Sequence, residues 1–369
     1  MKTALVIAPT LVPRWNDLVG ALRKDAILVI SSDRSSEYTD LYVPQWFGRL
    51  VKRMRRPALY CPNPLALYCL VKREKIERIV TWADGSHISA LFVMLIARRL
   101  GIPYEIRAAQ NIPDAVPAPF CWYAPSVIRN AARLYSVAPP STAVAAPFVA
   151  DKGRLLEIGN GFDDTIFSLT DKEQDLPARE IDAVFAGHLE PRKGIDLVAQ
   201  TLRALFDEGR INRAAIVGKG PSETQITKLL GPELAGNRLE RYHWLSREEL
   251  AGLFRRSRLL LMPSRSNVSD DLGTGKLLAI PWTEQFGRVC VEAQACGTVP
   301  IVSGVGGLPF AVGQGGIVVD CATTERLTRA ASDLLDDPDR LAEMRQLALQ
   351  NAQRFTLSNI AAAMVRAPK

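Results

Sequence analysis

Glu284-Gln-Phe-Gly-Arg-Val-Cys-Val-Glu292, followed at once by Ala-Gln-Ala-Cys-Gly297, is the stretch that decides the fold of this chain. Residues 288–295 have helical period, and Phe286-Gly287 leads into them from a loop. On one side lies Leu259-Leu-Leu-Met-Pro263-Ser264, an apolar run ending at a turn. On the other lies Thr298-Val-Pro-Ile-Val-Ser303, then a glycine-rich turn, Gly304-Val-Gly306-Gly307-Leu-Pro309. A helix between two buried strands is a βαβ unit, and such units build parallel sheets. Working outward, the same alternation fills the second half. Strands are expected at 181–186, 213–218, 239–243, 258–262, 298–303 and 316–319, and helices at 193–208, 222–231, 246–256, 287–296, 323–335 and 338–354. The first half repeats the pattern, with strands at 3–8, 26–30, 78–82, 104–107, 134–138 and 155–159. Its helices are expected at about 15–23, 45–56, 63–75, 86–100 and 139–149.

The chain of 369 residues is long enough for two domains. The polar stretch Thr170–Glu180 reads as the linker. The expected class is α/β, with two Rossmann-like domains facing across a cleft: residues 1–170, and residues 171–369 with a last helix that can pack back on the first domain. Apolar residues make up 47% and charged residues 23%, a globular mix that excludes a disordered or fibrous chain. No apolar run reaches the roughly 18 residues of a membrane span. The six cysteines form no Cys-x-x-Cys pair, and residues 4–8 are too short an apolar run for a signal peptide. A cytoplasmic chain with reduced thiols is expected. Residues 1–170 hold 21 Lys and Arg against 14 Asp and Glu, so the first half carries the whole net charge of +7.

In open α/β sheets, ligands bind beyond the carboxyl ends of the strands. His87, His188 and His243 each fall within a few residues of such an end. Glu284 belongs on the loop before a helix and Glu292 about one turn inside it. Between them, Gly287 and Arg288 start the helix, whose first N–H groups make a seat for phosphate. Carboxylates on either side of that seat suit a ligand that carries hydroxyls as well as phosphates. The plainer alternative is a surface Glu pair on an ordinary amphipathic helix. Two further strand–glycine–helix junctions weigh against it. These are Phe185-Ala-Gly187-His188-Leu-Glu-Pro-Arg192-Lys193-Gly194, with Lys193 at a helix start, and Ile216-Val217-Gly218-Lys219-Gly220-Pro221.

Taken in order, these motifs resemble the family 4 glycosyltransferases of the GT-B fold, a retaining, nucleotide-sugar-dependent group. The resemblance runs through Gly187–Gly194, Val217–Pro221, Ser246-Arg-Glu-Glu-Leu250, Pro263-Ser264, the Glu284-x7-Glu292 pair and Gly306-Gly307-Leu-Pro309. In the first half, Ala109-Gln110-Asn111-Ile112 with Pro117-x-Pro119-Phe120 is similar to bacterial surface-polysaccharide hexosyltransferases. Asn160-Gly161-Phe162-Asp163 with Phe167 matches the segment that closes the family's first domain. Roughly residues 100–355 are covered.

The resemblance implies a hexosyltransferase with a nucleotide sugar as donor substrate, no further cofactor and no metal. Lys193 would hold the donor pyrophosphate, and Glu284, with the backbone of Phe286 and Gly287, would position the sugar. Glu292 would bind ribose hydroxyls, Arg288 would lie at the phosphate seat, and Gly187, Gly218, Trp244 and Leu245 would line the donor side. His188 stands where the family usually has arginine, and Phe310 where an acidic residue is common. Residues 268–282 look like an insertion, and the first strand leads to Thr10-Leu-Val-Pro-Arg14 rather than to a Gly-Gly loop. Gln110 or Asn111 takes the place of a first-domain histidine, and His87 joins them on the acceptor side. A non-catalytic nucleotide-sugar-binding partner of another glycosyltransferase is the alternative class. No nucleic-acid module accompanies the positive charge, so nucleic acid is not an expected partner.

One motif points to an anionic membrane surface, on its inner face. In residues 46–56, apolar side chains recur at Trp46, Phe47, Leu50, Val51 and Met54, with Arg49, Lys52, Arg53, Arg55 and Arg56 between them. A basic amphipathic helix of this kind can lie in a lipid interface. Alternatively, it is a solvated helix whose Trp46 and Leu50 face the core.

Overall fold

Runs of aliphatic and β-branched residues become parallel strands in both halves. The structure is a computed structural model and describes residues 2–7, 16–25, 27–46, 59–109, 120–169, 179–266 and 282–365. The chain divides into two units, one of Met1–Asn160 with Leu357–Lys369 and the other of Gly161–Thr356.

The first unit holds seven strands: β1 (Thr3–Ile7), β2 (Leu28–Ser31), β3 (Leu41–Tyr42), β4 (Arg78–Trp82), β5 (Tyr104–Ala108), β6 (Arg133–Ser136) and β7 (Leu155–Glu157). They lie in the order β3-β2-β1-β4-β5-β6-β7, with Val6 facing Ile30 on one side and Thr81 on the other. β1, β4 and β5 are buried along their whole length, as strands covered by helices on both faces must be. Helix Pro64–Arg73 starts where the Asn63 side chain accepts the Ala66 N–H at 3.0 Å, with proline at its first position. Val6, Ile30, Ile79, Val93, Ile106 and Leu134 share one core.

The second unit repeats the plan with β8 (Ile181–Ala186), β9 (Ala214–Val217), β10 (Leu239–Tyr242), β11 (Ser257–Met262), β12 (Val299–Ser303) and β13 (Ile317–Val319), in the order β10-β9-β8-β11-β12-β13. Phe185, Leu202, Ile216, Leu261, Ile301 and Leu327 belong to its core. The strand order reverses between β8 and β11, and at such a switch point the two following loops diverge and leave a crevice.

Several expectations need correction. The linker ends before Arg179, whose guanidinium is buried and donates to the carbonyls of Phe254, Ser257 and Cys296. The first unit ends at Asn160, ahead of that linker. Helix Phe120–Asn130, with Pro125 inside it, was not expected from the pattern, and neither was the short helix Leu308–Val312. The last helix, Leu357–Val365, does lie in the first unit, as the expectation allowed, and there Arg78 donates to the Met364 carbonyl and, at 3.0 Å, to that of Val365. The helix expected over 45–56 lies outside the described residues from Phe47 onward, and so do residues 8–15 and 267–281. Among the described residues, no helix is long and apolar enough to cross a membrane, and no group of three or more His, Cys, Asp or Glu could hold a metal ion.

Candidate active site

A cavity of about 180 Å³ opens at the switch point of the second sheet. It is lined by Phe185 to His188 at the end of β8, by Lys193, by Met262 at the end of β11, and by Glu284, Gly287, Arg288 and Val289. Six residues singled out in the sequence thus converge here: Gly187, His188, Lys193, Glu284, Gly287 and Arg288. At the centre, Lys193 Nζ donates to Glu284 Oε2 at 2.6 Å, across 91 residues of sequence. Ser264 Oγ, fully buried, reaches the same oxygen at 3.4 Å.

The backbone holds this pair from both sides. Pro191–Lys193 form one 3-10 turn that ends at Gly194, with φ +68°, and any Cβ there would collide with the Pro263 carbonyl. The turn carrying Lys193 is therefore pressed against the end of β11. Gly306, with φ +60°, does the same for the other partner, because a Cβ there would strike the Glu284 carbonyl. Gly307 N–H donates to that carbonyl at 2.9 Å. The glycine turn after β12 thus clamps Glu284.

Helix Arg288–Ala295 begins beside the cavity, and Gly287 brings no side chain to cap it. The positive end of the helix dipole and a lysine therefore face one small space, an arrangement that attracts anions. Beneath them, Cys290 is fully buried with its Sγ 3.3 Å from Met262 Sδ. Burial pushes its thiol well up, and the Glu284 carboxylate adds to the shift, so Cys290 stays neutral beside the Lys193–Glu284 pair.

Glu284 and Glu292 are 9% and 8% exposed, so the reading as a surface pair does not hold. Glu292 lies one turn into the helix, and Arg288 Nε approaches its Oε1 at 3.3 Å. The Phe286 ring is buried and packs edge-on to Phe310 and Phe355, with centroids 6.3 and 5.1 Å away.

Gly218, Trp244 and Leu245 do not line the cavity. Gly218 N–H donates to the Tyr242 carbonyl, and its own carbonyl accepts from Arg241 at 2.6 Å. Trp244 is 74% exposed, next to His243, which lies 3.1 Å from Glu223. His87, in the first unit, stands at the start of helix Ile88–Leu100, 3.9 Å from Asp84. Gln110 and Asn111 lie outside the described residues, as do Arg49, Lys52, Arg53, Arg55 and Arg56. Trp46 packs edge-on against Phe92, with centroids 5.2 Å apart, so its ring is engaged within the first unit. Ser264 and Met262 were missed as site residues, although both sit at a strand end, the signal that could have found them.

Residues 168–354 match the family model described as "Glycosyl transferases group 1". Among curated relatives, D-inositol 3-phosphate glycosyltransferase 1 of Catenulispora acidiphila is 32% identical over 248 residues, covering 62% of this chain and 55% of that protein. The chain spans about half the length of the curated relatives it matches. Among solved structures, Anabaena Alr3699/HepE in complex with UDP aligns with a TM-score of 0.70 at 16% identity, covering 99% of this chain and 98% of that one. Sucrose-phosphate synthase of Thermosynechococcus elongatus aligns at 0.67 with 18% identity, covering 98% and 97%. At these identities the likeness is one of fold.

Proposed function

Because this chain belongs to the glycosyl transferases group 1 family, we propose that it transfers a hexose from a nucleotide sugar to a glycan, lipid-linked or small-molecule acceptor, with retention of configuration and without a metal. The observation that carries this reading is the Lys193–Glu284 pair at the mouth of a helix N-terminus. Without a ligand, the ammonium and the carboxylate satisfy each other. An arriving diphosphate offers the ammonium a stronger, multiply charged partner. Glu284 is then released to accept hydrogen bonds from the sugar hydroxyls.

As the bond from the sugar C1 to the diphosphate oxygen breaks, negative charge grows on the leaving group. Lys193 and the dipole of helix Arg288–Ala295 would stabilise that charge. His188 lines the same space. Glu292 would take the ribose, with Trp244, Leu245 and Gly218 on the base side. The Anabaena neighbour was solved with UDP and with UDP-glucose, so uridine diphosphate sugars head the donor panel.

A transfer and hydrolysis assay over nucleotide sugars tests the reading. Turnover of at least one donor in excess EDTA is expected, and product NMR should show the anomeric configuration retained. Binding of a donor with no turnover across a panel of acceptors would instead favour the non-catalytic partner. A lipid-linked acceptor goes with peripheral membrane contact through residues 49–56. Co-sedimentation with anionic but not zwitterionic vesicles, lost in an Arg53/Arg55/Arg56→Glu variant, is the expected result; equal, negligible binding to both would rule that contact out.

A further inference from the structure

Trp282 is the first described residue after 267–281 and stands two positions before Glu284. Its ring centroid lies 5.0 Å from Lys193 Nζ and 5.1 Å from the Arg192 guanidinium carbon. Both distances fall within the roughly 6 Å over which a cation is drawn to an indole face. Two adjacent cations thus share one aromatic ring, and one of them is the lysine paired with Glu284 at 2.6 Å.

We infer that Trp282 is a positioning residue for the diphosphate-binding lysine, an inference that rests on the donor-site reading above. The backbone of the Arg192–Lys193 turn is already fixed. Gly194 presses it on Pro263, and Arg265 N–H donates to the Arg192 carbonyl at 2.9 Å. Arg192 is further held by an ion pair with Glu190, and Arg265 by one with Asp196 at 2.7 Å. What stays free to rearrange is the four-carbon stem of Lys193, and that stem must bring its ammonium from Glu284 to an incoming phosphate.

Two influences work against that exchange. The neighbouring Arg192 repels the ammonium, and solvent competes for it. The indole counters both, because its electron-rich face attracts the two cations together and its bulk covers the stem. Lys193 therefore moves between two anionic partners along one wall. Only an aromatic side chain at position 282 supplies both the face and the bulk.

The test measures uridine diphosphate binding by calorimetry in the wild type, Trp282→Phe and Trp282→Leu, each alone and combined with Lys193→Met. Trp282→Leu keeps apolar bulk without a π face and should weaken binding about 5- to 30-fold, the scale of one or two cation–π contacts. Trp282→Phe should stay within about 3-fold of the wild type, since a weaker ring remains. In the Lys193→Met background, the difference between Leu and Trp at position 282 should vanish. Indole emission should also change on adding the diphosphate, and that change should be smaller in Trp282→Phe. Equal binding by the Leu and Phe variants, or a Trp282→Leu effect that persists undiminished in the Lys193→Met background, overturns this inference alone. No binding by the wild type to any nucleoside diphosphate overturns the donor reading and this inference together.

Discussion

Lys193 and Glu284 are 18% and 11% exposed at their side chains, so each has lost much of its water and depends on the other or on a ligand. Lys193→Ala should slow transfer by a factor of roughly 10²–10³, the scale of losing one group that stabilises transition-state charge. Glu284→Ala should remove most transfer. Glu292→Ala should mainly raise the donor KM, since Glu292 lies beyond the cavity wall. Near-wild-type turnover in the first two would falsify the assignment. Gly306→Ala tests the clamp on Glu284. A left-handed backbone costs an ordinary residue about 1–2 kcal/mol, before the collision with the Glu284 carbonyl is added. The urea midpoint should fall accordingly, with a larger loss in kcat than the lost stability explains. Glu284, Lys193 and Gly287 were legible in the sequence because their spacing sets them at strand ends and helix starts. Trp282 was not, because its contact with Lys193 joins loops 89 positions apart and follows no period.

At the level of elements, the buried strands were readable to within a residue or two, since a central parallel strand must be apolar on both faces. Helix Phe120–Asn130 escaped because Pro125 interrupts the pattern by which helices are recognised. β3 escaped because two residues carry no period at all. Capping, in contrast, is local chemistry and can be read directly. Ser246 accepts the Glu249 N–H at 3.2 Å, and the Glu249 carboxylate accepts the Ser246 N–H at 2.7 Å, which closes the start of helix Arg247–Arg255. Ser246→Ala should cost about 1 kcal/mol in denaturant titrations. The backbone N–H of Ser246, more than its hydroxyl, lowers the Glu249 pKa. A carboxyl lowered by folding stabilises the fold above its unfolded pKa, about 4.3, and loses that effect as pH falls through the folded value. Melting temperatures of the wild type and Glu249→Gln should therefore differ at pH 7 and converge below pH of about 4.

At the level of the whole molecule, the first unit is closed by residues from the far end of the chain. Arg78 and Glu105 are buried and meet at 2.6 Å, Tyr135 donates to Glu105 at 2.8 Å, and Arg78 also holds the last carbonyls of helix Leu357–Val365. Burial raises the Glu105 pKa, with Arg78 opposing the shift. Arg78→Met should cost about 3–5 kcal/mol at neutral pH, because it leaves a buried carboxylate unpaired. A carboxyl raised by folding favours the fold below its unfolded pKa and opposes it as pH rises through the folded value. The deficit of Arg78→Met should therefore shrink as pH falls toward about 4.3, which denaturation across pH would show. The same closure also bears on synthesis. A ribosome releases the first 160 residues with their guanidinium lacking the carbonyls it needs, then makes about 200 more before the closing helix emerges. At about 5–20 residues per second, that is a wait of about 10–40 s. During it the second unit can complete itself while the older part of the chain stays unfinished, so the half made first is the half that matures last.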